Sequence, residues 1–150
     1  MDSFLGKLGQ WISGAQHQGT AVEDDVQVAA AALMVHAMRI DDHPSLEEKV
    51  RVRDVLRDRF DLNETDLDDL IQQGTEADDS AIDLYRFTKI LTGSLDQAGR
   101  KRIVRMLWEL VVADGNIDEF ETNLVWRVAE LIGVSREDRI KLRQEVLAAD

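Results

Sequence analysis

Apolar residues recur along this chain at the three- and four-residue spacing of an α-helix. No stretch alternates apolar and polar residues with the period of two that a half-buried strand needs. The clearest case is residues 95–113, where Ile103, Met106, Leu107, Leu110 and Val111 share one face. Pro44 is the only proline, and the nine glycines fall mostly near the N-terminus or between periodic segments, which favours helices over a turn-rich β fold. The spacing therefore predicts an all-α protein, and 150 residues suffice for one domain with a substantial core.

Helix starts are marked by a polar residue followed three positions later by an acidic one, the pattern in which side chains satisfy the free N–H groups of the first turn. Thr20–Glu23, Ser45–Glu48, Asn63–Asp66, Asp118–Glu121 and Ser135–Asp138 are such pairs. The first opens an Ala-rich helix with Val26, Ala29, Ala30, Leu33, Ala37 and Ile40 inward, and the second a helix with Val52, Val55, Leu56 and Phe60 inward. A short third helix carries Leu67, Leu70 and Ile71, and a fourth over 80–91 turns Ala81, Leu84, Tyr85 and Thr88 to the core. The sixth buries Phe120, Leu124, Val128, Leu131 and Ile132, and the last buries Ile140 with Val146 or Leu147. Ahead of them, Phe4, Leu5, Leu8, Trp11 and Ile12 make one stripe of a short amphipathic helix, and SGAQHQGT (13–20) reads as a flexible linker. The expected organisation is an N-terminal amphipathic helix and linker over 1–20, then a helical domain over 21–150. The apolar run in 1–14 is too short for a membrane span and lacks the basic region and cleavage site of a secretory signal.

The chain also repeats itself. IDDHPSLEEKV (40–50) lies over ADGNIDEFETN (113–123) at an offset of 73, matching Asp41 to Asp114, Ser45 to Asp118 and Glu48 to Glu121. FDLNETD (60–66) lies over IGVSRED (132–138) at an offset of 72. Each copy reads as a long helix, an acidic turn, a capped helix, a short loop and a capped final helix. Neither copy can cover its apolar face alone, so the two are expected to pack together as an approximate twofold bundle of about seven helices plus the N-terminal one.

The paired acidic turns, DLYRF (83–87) and MLWELVVADGNIDEFE (106–121) resemble the TerB-like tellurite-resistance family, and most of all its tellurite resistance protein B-like branch. The resemblance covers roughly residues 26–147, and the second turn carries it more strongly than the first, in which Asp42 stands where glycine is expected. It implies an all-helical repeat, metal binding through the acidic turns, and association with stress-response and membrane-linked systems. It brings no established catalytic activity.

DGNIDEFE (114–121) has the form of the second half of an EF-hand loop, with Glu121 at the bidentate twelfth place. The first and third ligand places fall on the apolar Leu110 and Val112, which excludes an EF-hand. A looser hard-cation site can be built from Asp114, Asp118 and Glu121, with Asp41 and Glu48 as a weaker second copy; the expected ligand is Ca²⁺, Mg²⁺ or Mn²⁺. The same residues also read as helix caps, with Gly115 ending one helix, Asp118 starting the next and Glu121 completing its capping box.

Other chemistries find little support. The chain has no cysteine, so thiolate nucleophiles and Cys-ligated metals are excluded. His17, His36 and His43 lack paired metal spacing and read as solvent or capping groups; no GxSxG, GxxxxGK[ST] or GxGxxG occurs. A net charge of -12 disfavours nucleic-acid binding. Residues 61–79 hold eight acidic side chains and no basic one, whereas Lys49, Arg51, Arg53, Arg57 and Arg59, and four more in RKRIVR (100–105), invite intramolecular pairing. Trp108 and Trp126 are expected in the core. The expected function is a non-enzymatic cytoplasmic binding module, cation-responsive through its acidic turns. The alternative is a protein–protein adaptor whose turns are only caps and whose N-terminal stripe, Phe4, Leu5, Leu8, Trp11 and Ile12, makes peripheral membrane contact or fills a partner's groove.

Overall fold

A computed structural model of the chain describes residues 20–40, 44–112 and 119–149. Among them are seven helices and no strand: α1 Thr20–Arg39, α2 Leu46–Phe60, α3 Glu64–Ser80, α4 Tyr85–Ser94, α5 Gln97–Val111, α6 Glu119–Leu131 and α7 Arg136–Ala149. The expected N-terminal helix lies outside the described residues.

The capping pattern puts several of these starts where they are found. Ser45 Oγ accepts from the N–H of Glu48 at 3.1 Å, Asn63 Oδ1 from Asp66 at 2.8 Å, and Ser135 Oγ from Asp138 at 3.1 Å. Asp96, which the sequence reading did not single out, caps α5 through the N–H of Gly99 at 2.9 Å. Helix α1 already includes Thr20, so Thr20 is part of the helix rather than its cap.

The two long first helices of the repeats, α1 and α5, form the centre. Every residue from 29 to 35 of α1 is buried, as expected of a helix apolar on nearly all sides. In α5, Trp108 is fully buried, and its indole N–H donates to the Arg139 carbonyl of α7 at 3.2 Å. The repeat is visible in the packing: α1 lies against α2 and α3 as α5 lies against α6 and α7, and the halves meet where α5 touches α1 and α2. It is visible in the turns as well. Asp61 after α2 and Gly133 after α6 both take positive φ, 53° and 77°. The next N–H in each case, of Leu62 and Val134, reaches back to Arg57 at 3.0 Å and Ala129 at 2.8 Å, the six-residue closure that ends a helix in a left-handed residue.

The halves differ in how tightly they close. A Cβ built on Gly74 of α3 would stand 2.8 Å from the Cβ of Ala31 and 3.1 Å from the backbone N of Ala32, so α1 and α3 cross in near backbone contact. The corresponding residues of the second copy, Val104 and Val146, are larger and both buried, and α5 meets α7 over a smaller stretch than α1 meets α3.

Four expectations need correction. The third helix is not short, since α3 runs seventeen residues to Ser80; the fourth starts at Tyr85 rather than at 80, after a break at 81–84. Rotation of the stripe follows: Phe87, Thr88 and Leu91 are buried, and Tyr85 is exposed. In α6 and α7, Phe120, Leu131 and Ile140 are exposed, while Val125, Ala129 and Arg139 take buried places; of the alternatives Val146 and Leu147, Val146 is the buried one. Trp126 is not a core residue; it is 41% exposed, with the Arg139 guanidinium 5.3 Å from its ring centroid. Each apolar stripe is wider than the interface available, and helix–helix geometry rather than hydropathy decides which edge stays wet.

The charge runs pair as expected. Arg53 bonds Asp68 and Glu64, both at 2.8 Å, and Arg57 bonds Asp54 at 2.7 Å and Glu64 at 3.3 Å. Hydrogen bonding to Asp68 and then Glu64 raises the Arg53 guanidinium above its ordinary range, and bonding to Asp54 does the same for Arg57. In α5, Arg105 reaches Glu145 at 3.0 Å, and Lys101 approaches Asp138 at 3.3 Å.

Candidate cation site at the acidic turns

Each acidic turn leads into the second helix of its repeat. Helix α2 starts on Ser45, whose extended backbone (φ −70°, ψ 162°) lets its hydroxyl fold over the first turn. Glu48, third in the helix, turns back: its Oε1 accepts from the Ser45 backbone N–H at 3.3 Å and from the Ser45 hydroxyl at 3.4 Å. The capping box is complete, and the helix dipole favours a carboxylate there.

Capping does not satisfy the whole carboxylate. Glu48 is only 6% exposed, and its Oε2 is buried with no hydrogen-bond partner among the described residues. Glu121 holds the same third place in α6 and is 5% exposed. One buried glutamate thus stands at the same step of each repeat. A surface capping box leaves its glutamate wet, so this burial is more than capping requires. The donor chemistry, oxygen on a carboxylate already held by its other oxygen, fits a hard divalent cation.

Of the five residues the sequence marks as ligands, Glu48 and Glu121 are described; Asp41, Asp114 and Asp118 lie outside the described residues. Among the described residues no three His, Cys, Asp or Glu side chains gather into a group able to hold a metal. Leu110 and Val112, which occupy ligand places of an EF-hand frame, are buried in the core.

Between the turns runs a groove of about 410 Å³ that sequence reasoning missed. Ile40, just before the first turn, and Phe120, just after the second, both line it, opposite Ile82 and Leu84. It exists because the twofold pattern breaks here: α4 packs on both α1 and α6, and these two helices have no principal contact with each other among the described residues. Phe120 and Ile82 are largely exposed. At the groove edge the ring nitrogen Nδ1 of His36 lies 3.0 Å from Asp78, and Arg39 bonds Asp79 at 2.6 Å and Asp78 at 3.3 Å, tying the C-terminal ends of α1 and α3. Hydrogen bonding to Asp79 raises the Arg39 guanidinium above its ordinary range. His36 and Asp78 are 42 residues apart, so no local spacing could have revealed the pair.

Among the described residues no helix is long and apolar enough to cross a membrane. Comparison with curated proteins and with solved structures returned no match. Comparison with family models matched residues 27–144, most of the described bundle and both acidic turns, to tellurite resistance protein TerB. The chain therefore belongs to the TerB family.

Proposed function

We propose that this chain is a non-enzymatic cytoplasmic binding module of the tellurite-resistance and stress-response type that takes up a divalent cation at its acidic inter-helix turns. The observation that carries the reading is the buried Oε2 of Glu48 at the start of α2, which has no hydrogen-bond partner among the described residues. A buried carboxylate oxygen without a donor costs free energy that a hard cation would offset. Glu48 with Asp41 would hold the ion at one turn, and Glu121 with Asp114 and Asp118 at the other. The ion would supply positive charge to a chain of net charge -12 and would join each turn to the helix that follows it. Dialysis of the chelator-treated protein against Ca²⁺, Mg²⁺ and Mn²⁺, followed by metal analysis, tests this. Retained ion in stoichiometric amount supports the reading, and protein that leaves dialysis metal-free overturns it.

A second reading is favoured by the groove. Exposed Phe120 and Ile82 around an apolar trough suit a protein–protein adaptor, for which the Ser45–Glu48 capping box is purely structural. In that reading the N-terminal stripe supplies the peripheral membrane contact.

A further inference from the structure

A second hollow, of about 180 Å³, lies at the other end of α1, between its first turns, the loop after α2 and α3. Three carboxylates rim it, Asp24, Asp66 and Asp69, and Val28, Leu62 and Leu70 form its apolar floor. Gln27 lines it as well; the side chain is 4% exposed, and its Nε2 donates to no acceptor among the described residues. Burial, and then the neighbouring Asp25, push the Asp24 carboxyl above its ordinary range, and a positive charge brought beside it would offset both. The hollow asks for three things at once: an apolar side chain of about leucine size, a positive charge and a carbonyl oxygen.

The chain's own N-terminal segment offers all three. Phe4, Leu5, Leu8, Trp11 and Ile12 are apolar, and Lys7 is the only lysine or arginine among residues 1–19. Its backbone supplies carbonyl oxygens able to accept from a donor such as Gln27 Nε2. The reach is sufficient. Residues 13–19 span up to about 23 Å when extended, whereas Asp24 and Val28 stand only about 6 and 12 Å along α1 from Thr20. A short tether also gives the segment an effective concentration that a free partner seldom reaches.

We propose that residues 1–12 dock in cis on this hollow, one apolar side chain on the Val28–Leu62–Leu70 floor and Lys7 against Asp24, Asp66 and Asp69. Docking withholds the apolar stripe from lipid and from partners, and its release exposes the stripe.

The test uses the full chain with Ser3→Cys carrying a nitroxide label, since the chain has no cysteine of its own. The label is expected to speed amide relaxation severalfold at Val28, Leu62 and Leu70 but not at Phe120 or Leu124. Lys7→Glu should abolish the effect, and adding Asp69→Lys should restore it, a rescue that nonspecific collapse would not show. Enhancement spread evenly over the surface, or centred on the groove at Phe120, overturns the proposal. So does enhancement that appears only between labelled and unlabelled copies in a mixed sample, which would make the contact intermolecular. Absent enhancement at the hollow, with loss of the signals of residues 1–12 on adding phosphatidylcholine–phosphatidylglycerol vesicles, overturns it in favour of lipid contact.

Discussion

Glu48 and Ser45 close on each other at the start of α2: the Ser45 hydroxyl accepts from the Glu48 N–H at 3.1 Å, and the Glu48 Oε1 accepts from the Ser45 N–H at 3.3 Å. The second carboxylate oxygen of Glu48 stays buried and bare among the described residues. Capping and the proposed cation binding would therefore use different oxygens of one side chain, and substitution can separate them. Ser45→Ala should cost about 1 kcal/mol with or without cation, because only the cap is lost. Glu48→Gln keeps an acceptor for Ser45 and removes a buried charge, so it should leave metal-free stability level or higher while abolishing the rise in Tm that Mn²⁺ or Ca²⁺ produces. Thermal melts with cation and with chelator check both.

Close approach of α1 and α3 makes Gly74 intolerant. Gly74→Ala gains about 1 kcal/mol of helix propensity but drives a methyl into Ala31, 2.8 Å away, with the α1 backbone behind it. Overpacking of this kind costs about 1–3 kcal/mol, and a backbone that cannot turn aside puts the net effect on the losing side. Gly93→Ala in α4 meets nothing within 4 Å among the described residues and should stabilise by about 0.5 kcal/mol. Opposite signs in urea melts of the two variants are the expected result.

Arg139 occupies in the second repeat the place that Leu67 holds in the first, yet it is 9% exposed and Leu67 is fully buried. Its Nη1 reaches the Trp126 carbonyl at 3.3 Å and Glu130 at 3.5 Å, while its Nε is buried with no hydrogen-bond partner among the described residues. Arg139→Leu should be neutral or stabilising, since an apolar residue of similar reach removes an incompletely satisfied buried cation. Arg139→Ala should cost about 2 kcal/mol or more, because it also empties the space beneath Trp126. Equal losses in the two variants would show that the ion pair, and not packing, matters there.

The helix-ending turns give a paired prediction. Gly133 holds φ 77° at no steric cost, so Gly133→Ala should lose about 1 kcal/mol. Asp61 holds the equivalent place at φ 53°, and Asp61→Gly should change stability little, aspartate being among the residues that tolerate this conformation. Chemical denaturation of both variants reads the difference.

What could be read from the sequence was whatever is written in local spacing. Helical periodicity, the caps at Ser45, Asn63 and Ser135, and the repeat that pairs Glu48 with Glu121 all depend on residues a few positions apart or on direct self-similarity, and the fold class and family follow from them. The outward turn of Tyr85, Phe120 and Trp126 depends on which neighbour each helix meets, and nothing in the width of an apolar stripe encodes that. The same holds for His36 with Asp78, and for the groove opened where α4 separates α1 from α6. Glu48 was legible as a cap and as the weaker ligand; its burial was not, because burial is set by tertiary packing that the local capping pattern does not encode.

The most direct test of a cation at the acidic turns is titration calorimetry of chelator-treated protein with Ca²⁺, Mg²⁺ and Mn²⁺, beside the Glu48→Gln/Glu121→Gln variant. Saturable binding of at least one of these ions, lost in a variant that still melts cooperatively, is the predicted result. No binding, or the same binding in both proteins, would contradict the account and reduce both glutamates to helix caps.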